Sequence, residues 1–103
     1  IWDFQNTQFV LADLKAKGTA GRVFVNDCIA KLLKGELDVG TASMAKYWLT
    51  ELQGEVVDKC LQLHGGAGYI NDYPLAKLYR DSRITRIFGG SNEVMKMLIA
   101  RGM

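Results

Sequence analysis

Four short clusters in this chain combine residue types that can do chemistry. Gln62, Leu63 and His64 run into Gly65-Gly66-Ala67-Gly68, joining an amide and an imidazole to a backbone without side chains. Such a backbone can approach a phosphate closely, or can simply end a helix and turn. It is not a Rossmann fingerprint, because a helical pattern precedes it and residue 71 is asparagine. Gly89-Gly90-Ser91-Asn92-Glu93 is a glycine turn opening a helix. The free N–H groups there can meet an anion or a polar ring edge, though an ordinary N-cap is the plainer reading. Ser43-Met-Ala-Lys46 has the S-x-x-K spacing of serine acyl-enzymes but lacks their S-D-N and K-T-G companions. Ser43 therefore reads as a small residue at a helix–helix contact. Lys77, Arg80, Arg83 and Arg86 recur at three-residue steps. They predict a basic stripe facing solvent, a phosphate or a partner's carboxylates.

Other chemistries are excluded. His64 is the only histidine, too few for the common nitrogen-ligated metal sites. Cys28 and Cys60 have no C-x-x-C spacing and fall on apolar stripes, so they read as core filler in a reducing compartment. Thirteen basic and eleven acidic residues leave a formal charge of +2. That balance offers no electrostatic footprint for nucleic acid or an anionic membrane. No apolar run approaches the roughly 20 residues of a membrane span.

Long helices must position these clusters. The 103 residues suffice for one domain, 1–103. Asp3 is a candidate N-cap for a helix to about Lys34, with the stripe Phe4, Leu11, Leu14, Val25, Cys28, Ile29, Leu32 bridged by Gly18 and Gly21. The two glycines predict close approach of a neighbouring helix, and Gly35 is the stop. Asp38 caps a second helix to about His64, striped by Ala42, Ala45, Leu49, Leu52, Val56, Cys60 and Leu63. A loop follows from Ala67 to Tyr73, then a short helix from Pro74 to about Ser82. Ser91 caps the last helix, with Val94, Met97 and Leu98 as its buried side. No segment alternates with period two, so the class is all-α. Helices of about 31 and 26 residues would be roughly 46 and 39 Å long, overhanging a globule of radius of gyration near 13 Å. Their stripes call for a further partner: another helix of the same chain, another subunit, or both. The opening residue Ile1, almost at the start of a helical pattern, suggests a bundle entered after its first helix.

Five blocks taken in order carry a resemblance. They are Gln62-Leu-His-Gly-Gly-Ala-Gly-Tyr69, Asp72-Tyr-Pro74, Arg80-Asp-Ser-Arg83, Ile87-Phe-Gly-Gly-Ser-Asn-Glu-Val94 and Ile99-Ala-Arg101. With Asp3-Phe-Gln5 and Ala42-Ser-Met-Ala-Lys46, they resemble the C-terminal domain of acyl-CoA dehydrogenases over essentially the whole chain, closest to the long-chain type. The resemblance implies an antiparallel four-helix bundle, here without its first helix. It implies a homo-oligomeric flavoenzyme, dimer or tetramer, with FAD held between domains and across a subunit interface. By position, Gln62, Leu63, His64, Gly65 and Gly66 match the segment contacting the adenosine-diphosphate part of a neighbouring subunit's FAD. Ser91, Asn92 and Glu93 match the turn contacting FAD in the same subunit, and Gln5 a further FAD contact.

The implied reaction is α,β-dehydrogenation of an acyl-CoA thioester. A glutamate removes the α-proton, hydride passes to the flavin, and electron-transferring flavoprotein reoxidises it. Most family members carry that glutamate where this chain has Gly89. The long-chain and isovaleryl types place it on the preceding helix instead, so no catalytic residue is expected within 1–103 and the chain by itself is expected to be inactive. The parent enzyme's expected place is a bacterial cytoplasm or the mitochondrial matrix. Two alternatives remain open: a non-catalytic helical association module derived from this family, and a flavin-dependent oxidase, such as a nitroalkane oxidase, on the same fold.

Overall fold

The computed structural model describes residues 3–103. Five α-helices follow in order: α1 (Gln5–Leu33), α2 (Val39–His64), the single turn α3 (Gly66–Tyr69), α4 (Pro74–Arg83) and α5 (Asn92–Arg101), with a 3-10 turn at Ile84–Arg86. There is no strand among the described residues. The all-α expectation holds.

Local chemistry explains the ends. Asp38 caps α2, its Oδ2 accepting from the Thr41 N–H at 3.0 Å and its Oδ1 from the Thr41 hydroxyl at 2.6 Å. These bonds hold the Asp38 carboxyl below the ordinary carboxylate range. α1 ends in a Schellman motif: Gly35 has φ +70°, and the Glu36 N–H reaches back to the Lys31 carbonyl at 2.8 Å. At the other end α1 starts one residue later than an Asp3 cap implied. Phe4 occupies the extended N-cap position and its side chain caps nothing.

α2 is the hub. It packs against α1, α3, α4, the 3-10 turn and α5. α1 and α2 run antiparallel, as Lys17 pairs with Glu55 and Lys59 with Asp13. The molecule measures 45 × 25 × 23 Å with a radius of gyration of 16.0 Å, the elongated shape expected of helices this long.

The core is thin. Leu14, Cys28 and Ala76 are its buried apolar side chains among the described residues, beside the buried polar Thr7, Ser43, Ser82 and Asn92. On α1 the buried positions are Thr7, Leu14, Gly21 and Cys28, a strict seven-residue repeat. Three members of the predicted stripe, Phe4, Ile29 and Leu32, are exposed instead. The same correction applies on α5, where Val94 and Met97 are exposed and Asn92 turns inward. A hydropathy pattern could not rank Thr7 as a seam residue, since it is polar, whereas Gly21 stands in the seam as the bridging residue expected there.

The two α1 glycines divide. A Cβ on Gly21 would lie 3.1 Å from Leu52 and 3.3 Å from Leu49, so the close approach is real there. Gly18 faces open space and marks no such contact. With Gly21, Val25, Leu49, Leu52 and Val56 it lines an open apolar groove of about 310 Å³ along α1 and α2.

Candidate functional site

At the C-terminal end of α2, Gln62, His64, Gly65 and Gly66 are exposed and Leu63 is half-buried. Gly65 takes φ +63° and closes the helix with its N–H on the Gln62 carbonyl at 3.1 Å. A Cβ built on Gly65 or Gly66 would meet nothing within 4 Å. The backbone there is open to a ligand. His64 bonds the Cys60 carbonyl at 2.8 Å through Nδ1, which is the donor because a carbonyl oxygen only accepts.

The expected loop after this point begins as the turn α3. Its cause is Gly68, whose N–H bonds the Gly65 carbonyl at 3.0 Å. Gly68 is buried so tightly that a Cβ would sit 2.8 Å from the Leu61 carbonyl oxygen. Glycine-rich sequence carries no apolar period, so a helical turn held by backbone contact left no signal.

Gln5 opens α1, exposed. Since Lys17 faces Glu55 and Asp13 faces Lys59, the antiparallel register carries Gln5 toward the same end as Gln62–Gly66.

The second cluster is built differently. Gly89 and Gly90 have φ +65° and +88°, a pair of left-handed positions that glycine adopts without strain. Ser91 then caps α5, its hydroxyl accepting from the Val94 N–H at 3.3 Å. Glu93 is exposed. Asn92 is 2% exposed, and its side chain is spent inside the fold. Its amide nitrogen donates to Thr50 Oγ1 and Glu51 Oε1, both at 3.0 Å, while its oxygen accepts from Lys46 Nζ at 2.8 Å. Lys46 also donates to the Gly90 carbonyl at 2.8 Å. The Asn92 amide, together with Arg86 at 3.2 Å, holds the Glu51 carboxyl below the ordinary carboxylate range.

Lys46, Thr50, Glu51 and Arg86 thus belong to the wall behind this turn. The sequence singled out Lys46 for an unrelated pattern; Ser43 beside it is buried, as a helix-contact residue should be. The predicted basic stripe divides: Arg86 turns onto Glu51, Arg80 donates to Asn71 at 2.9 Å, and Lys77 is exposed. Arg83 and Arg86 join Lys17, Glu51, Glu55 and Asp58 around a groove of about 690 Å³. The Nε of Arg86 is buried there without a hydrogen-bond partner.

The two clusters are far apart. Thr50 and His64 are separated by fourteen residues of α2, roughly 21 Å of helix. No group of three or more metal-ligating side chains converges among the described residues, and none of their helices is long and apolar enough to cross a membrane.

Comparison with known proteins decides the family. Residues 1–103 match the family described as acyl-CoA dehydrogenase, C-terminal domain. The chain belongs to the acyl-CoA dehydrogenase family. It is 52% identical over 97 residues to the mouse (Mus musculus) long-chain specific acyl-CoA dehydrogenase, mitochondrial, covering 94% of this chain and 23% of that protein. It is 42% identical over 100 residues to a 3-(aryl)acrylate reductase of Clostridium sporogenes, covering 97% and 26%. The crystal structure of an acyl-CoA dehydrogenase from Geobacillus kaustophilus superimposes with a TM-score of 0.96 at 42% identity, covering 98% of this chain and 27% of that one. The chain therefore spans about a quarter of the length of the acyl-CoA dehydrogenases it resembles.

Proposed function

We propose that these 103 residues are the FAD-contacting and subunit-pairing helical part of an acyl-CoA dehydrogenase of the long-chain type. The observation that carries this reading is the end of α2, where a methyl added to Gly65 or Gly66 would meet nothing within 4 Å and exposed Gln62 and His64 stand alongside. Such a surface fits a pyrophosphate: amide hydrogens can approach the oxygens closely, and the Gln62 amide can add a donor. Leu63 offers apolar contact to a ring. Gln5 shares this end.

The Gly89–Glu93 turn fits a second contact with FAD, made by the Ser91 hydroxyl, the exposed Glu93 and backbone, not by the Asn92 side chain. Its distance from the α2 end suits contact with two different FAD molecules, one bound in each of two subunits. Homo-oligomerisation follows from the same reading, and the exposed Phe4, Phe9, Val23, Leu32 and Leu33 supply apolar surface for it. When bound, FAD supplies the hydride acceptor for α,β-dehydrogenation of an acyl-CoA thioester. This chain's residues orient it. Gly89 carries no proton acceptor, so the base belongs elsewhere in the enzyme and the chain by itself turns over no substrate. Electron-transferring flavoprotein is the proposed oxidant of the whole enzyme, in the mitochondrial matrix or a bacterial cytoplasm.

The test is Gly66→Val in the full-length chain that carries these residues. Open space at Gly66 predicts unchanged helix content by circular dichroism, while flavin absorbance per protein falls. Unchanged flavin occupancy would overturn the reading. The rival, a helical association module without flavin chemistry, is favoured by Gly89 and the same exposed apolar residues; it predicts no flavin in the wild type.

A further inference from the structure

We propose that Lys46 is a positioning residue of the flavin-contacting turn, clamping Gly89–Ser91 to α2. The inference rests on the reading of that turn given above. Two consecutive glycines with positive φ have no side chains to pack, so their conformation must be held from outside. A Cβ on Gly89 would find nothing within 4 Å, which leaves that residue free of steric support. Lys46 meets the turn directly, donating at 2.8 Å to the Gly90 carbonyl. The same ammonium donates at 2.8 Å to Asn92 Oδ1, which is anchored through its amide nitrogen to Thr50 and Glu51.

One side chain thereby fixes both the last glycine of the turn and the first residue of α5, with Ser91 between them. The Ser91 backbone is thereby held from both sides, in the place where its hydroxyl accepts from the Val94 N–H at 3.3 Å. The charge is suited to the task, because a lysine offers three donors and a charge-assisted bond to a carbonyl is stronger than a neutral one. Both of these hydrogen bonds end on the protein's own oxygens, which makes Lys46 a positioning residue. Its effect on the reaction runs through the turn, where small displacements of a bound reactant are costly.

The experiment compares wild type, Lys46→Met and Lys46→Arg in the full-length, FAD-loaded chain. The readouts are the visible flavin spectrum, kcat and KM with palmitoyl-CoA and a dye acceptor, and helix content. The expected result is a folded Lys46→Met protein with a shifted flavin band and kcat lowered on the order of 10- to 100-fold, as for a misplaced reactant. KM changes little, and Lys46→Arg, which keeps charge and donors, recovers part of the loss. A folded Lys46→Met protein with wild-type spectrum and kcat overturns the proposal. So does a Lys46→Met protein that cannot fold beside a folded, fully active Lys46→Arg, since Lys46 then serves the fold alone. A wild type that binds no flavin overturns the functional reading itself, and this inference with it.

Discussion

Asn92 donates to Glu51 Oε1 across the α2–α5 interface at 3.0 Å, and this part-buried bond ties the start of the last helix to the hub of the bundle. Asn92 is 2% exposed, and its amide is satisfied by Thr50, Glu51 and Lys46. Replacement by alanine takes one bond from each of these partners, although Lys46 keeps Gly90, Glu51 keeps Arg86 and Thr50 keeps the Lys46 carbonyl. Asn92→Ala should cost about 1–3 kcal/mol, the range for losing hydrogen bonds to charged groups. Urea unfolding followed by circular dichroism measures it. A cost below about 0.5 kcal/mol, ordinary for a surface site, would contradict the placement.

The same bond sets an acid limb. The Glu51 carboxyl is lowered by Asn92 and Arg86, and that of Glu55 by hydrogen bonds from Lys17 and Lys59. A carboxyl whose pKa falls on folding stabilises the protein fully above its unfolded value, about 4.3 for glutamate, and loses that contribution as pH drops through the folded value. Melting temperature should therefore hold from pH 7 to about 5 and fall below it. In Asn92→Ala the fall should be shallower. An equally steep limb in that variant would remove Asn92 as the leading cause.

Gly18 and Gly21 should respond in opposite directions to alanine. At Gly18 the methyl enters open space, so helix propensity alone acts and stability rises by up to about 1 kcal/mol. At Gly21 it presses on Leu52 and Leu49, and overpacking of about 1–3 kcal/mol outweighs the propensity gain. Thermal denaturation of the two variants decides; a destabilised Gly18→Ala would show that the apolar groove beside it is closed in solution.

Gly68→Ala should be worse tolerated than either. The obstacle is the Leu61 carbonyl, 2.8 Å from the added Cβ, and backbone cannot swing aside as a leucine tip can. Both folding stability and flavin retention in the full-length chain should drop. Normal values for both would dissociate α3 from the glycine cradle.

Much of this was legible in the chain because end signals are local. Asp38, Gly35, Gly65, Pro74 and Ser91 each act on neighbouring backbone, and all five stand where their chemistry demanded. Faces were harder to read. The seam of α1 uses the expected Gly21 but also the polar Thr7, while Phe4, Ile29 and Leu32 are exposed, so apolarity misranked those four positions. A chain that leaves this much apolar surface exposed does not report its buried face through hydropathy alone. At the candidate site, the glycine turns were visible as residue types. The wall behind them was not, since Lys46, Thr50 and Glu51 converge on Asn92, and Arg86 on Glu51, only through packing of α2, α5 and the 3-10 turn. Asn92 itself could be placed in the right turn, but no motif told its inward side chain from the outward Glu93.

Self-pairing can be checked separately. Size-exclusion chromatography with light scattering should find the 103-residue chain associating at micromolar concentration, through exposed residues such as Phe9, Val23 and Leu33. A clean monomer would count against the role assigned to that surface.

The most direct measurement mixes the purified 103-residue chain with FAD, palmitoyl-CoA and a dye acceptor, and follows flavin binding and dye reduction together. In the proposed function the chain supplies flavin contacts and part of the FAD site, and the base lies elsewhere in the enzyme. Weak flavin binding is therefore expected, with no dye reduction above the protein-free rate. A yellow chain with one tightly bound flavin per subunit, reducing the dye at the expense of acyl-CoA, would contradict this reading.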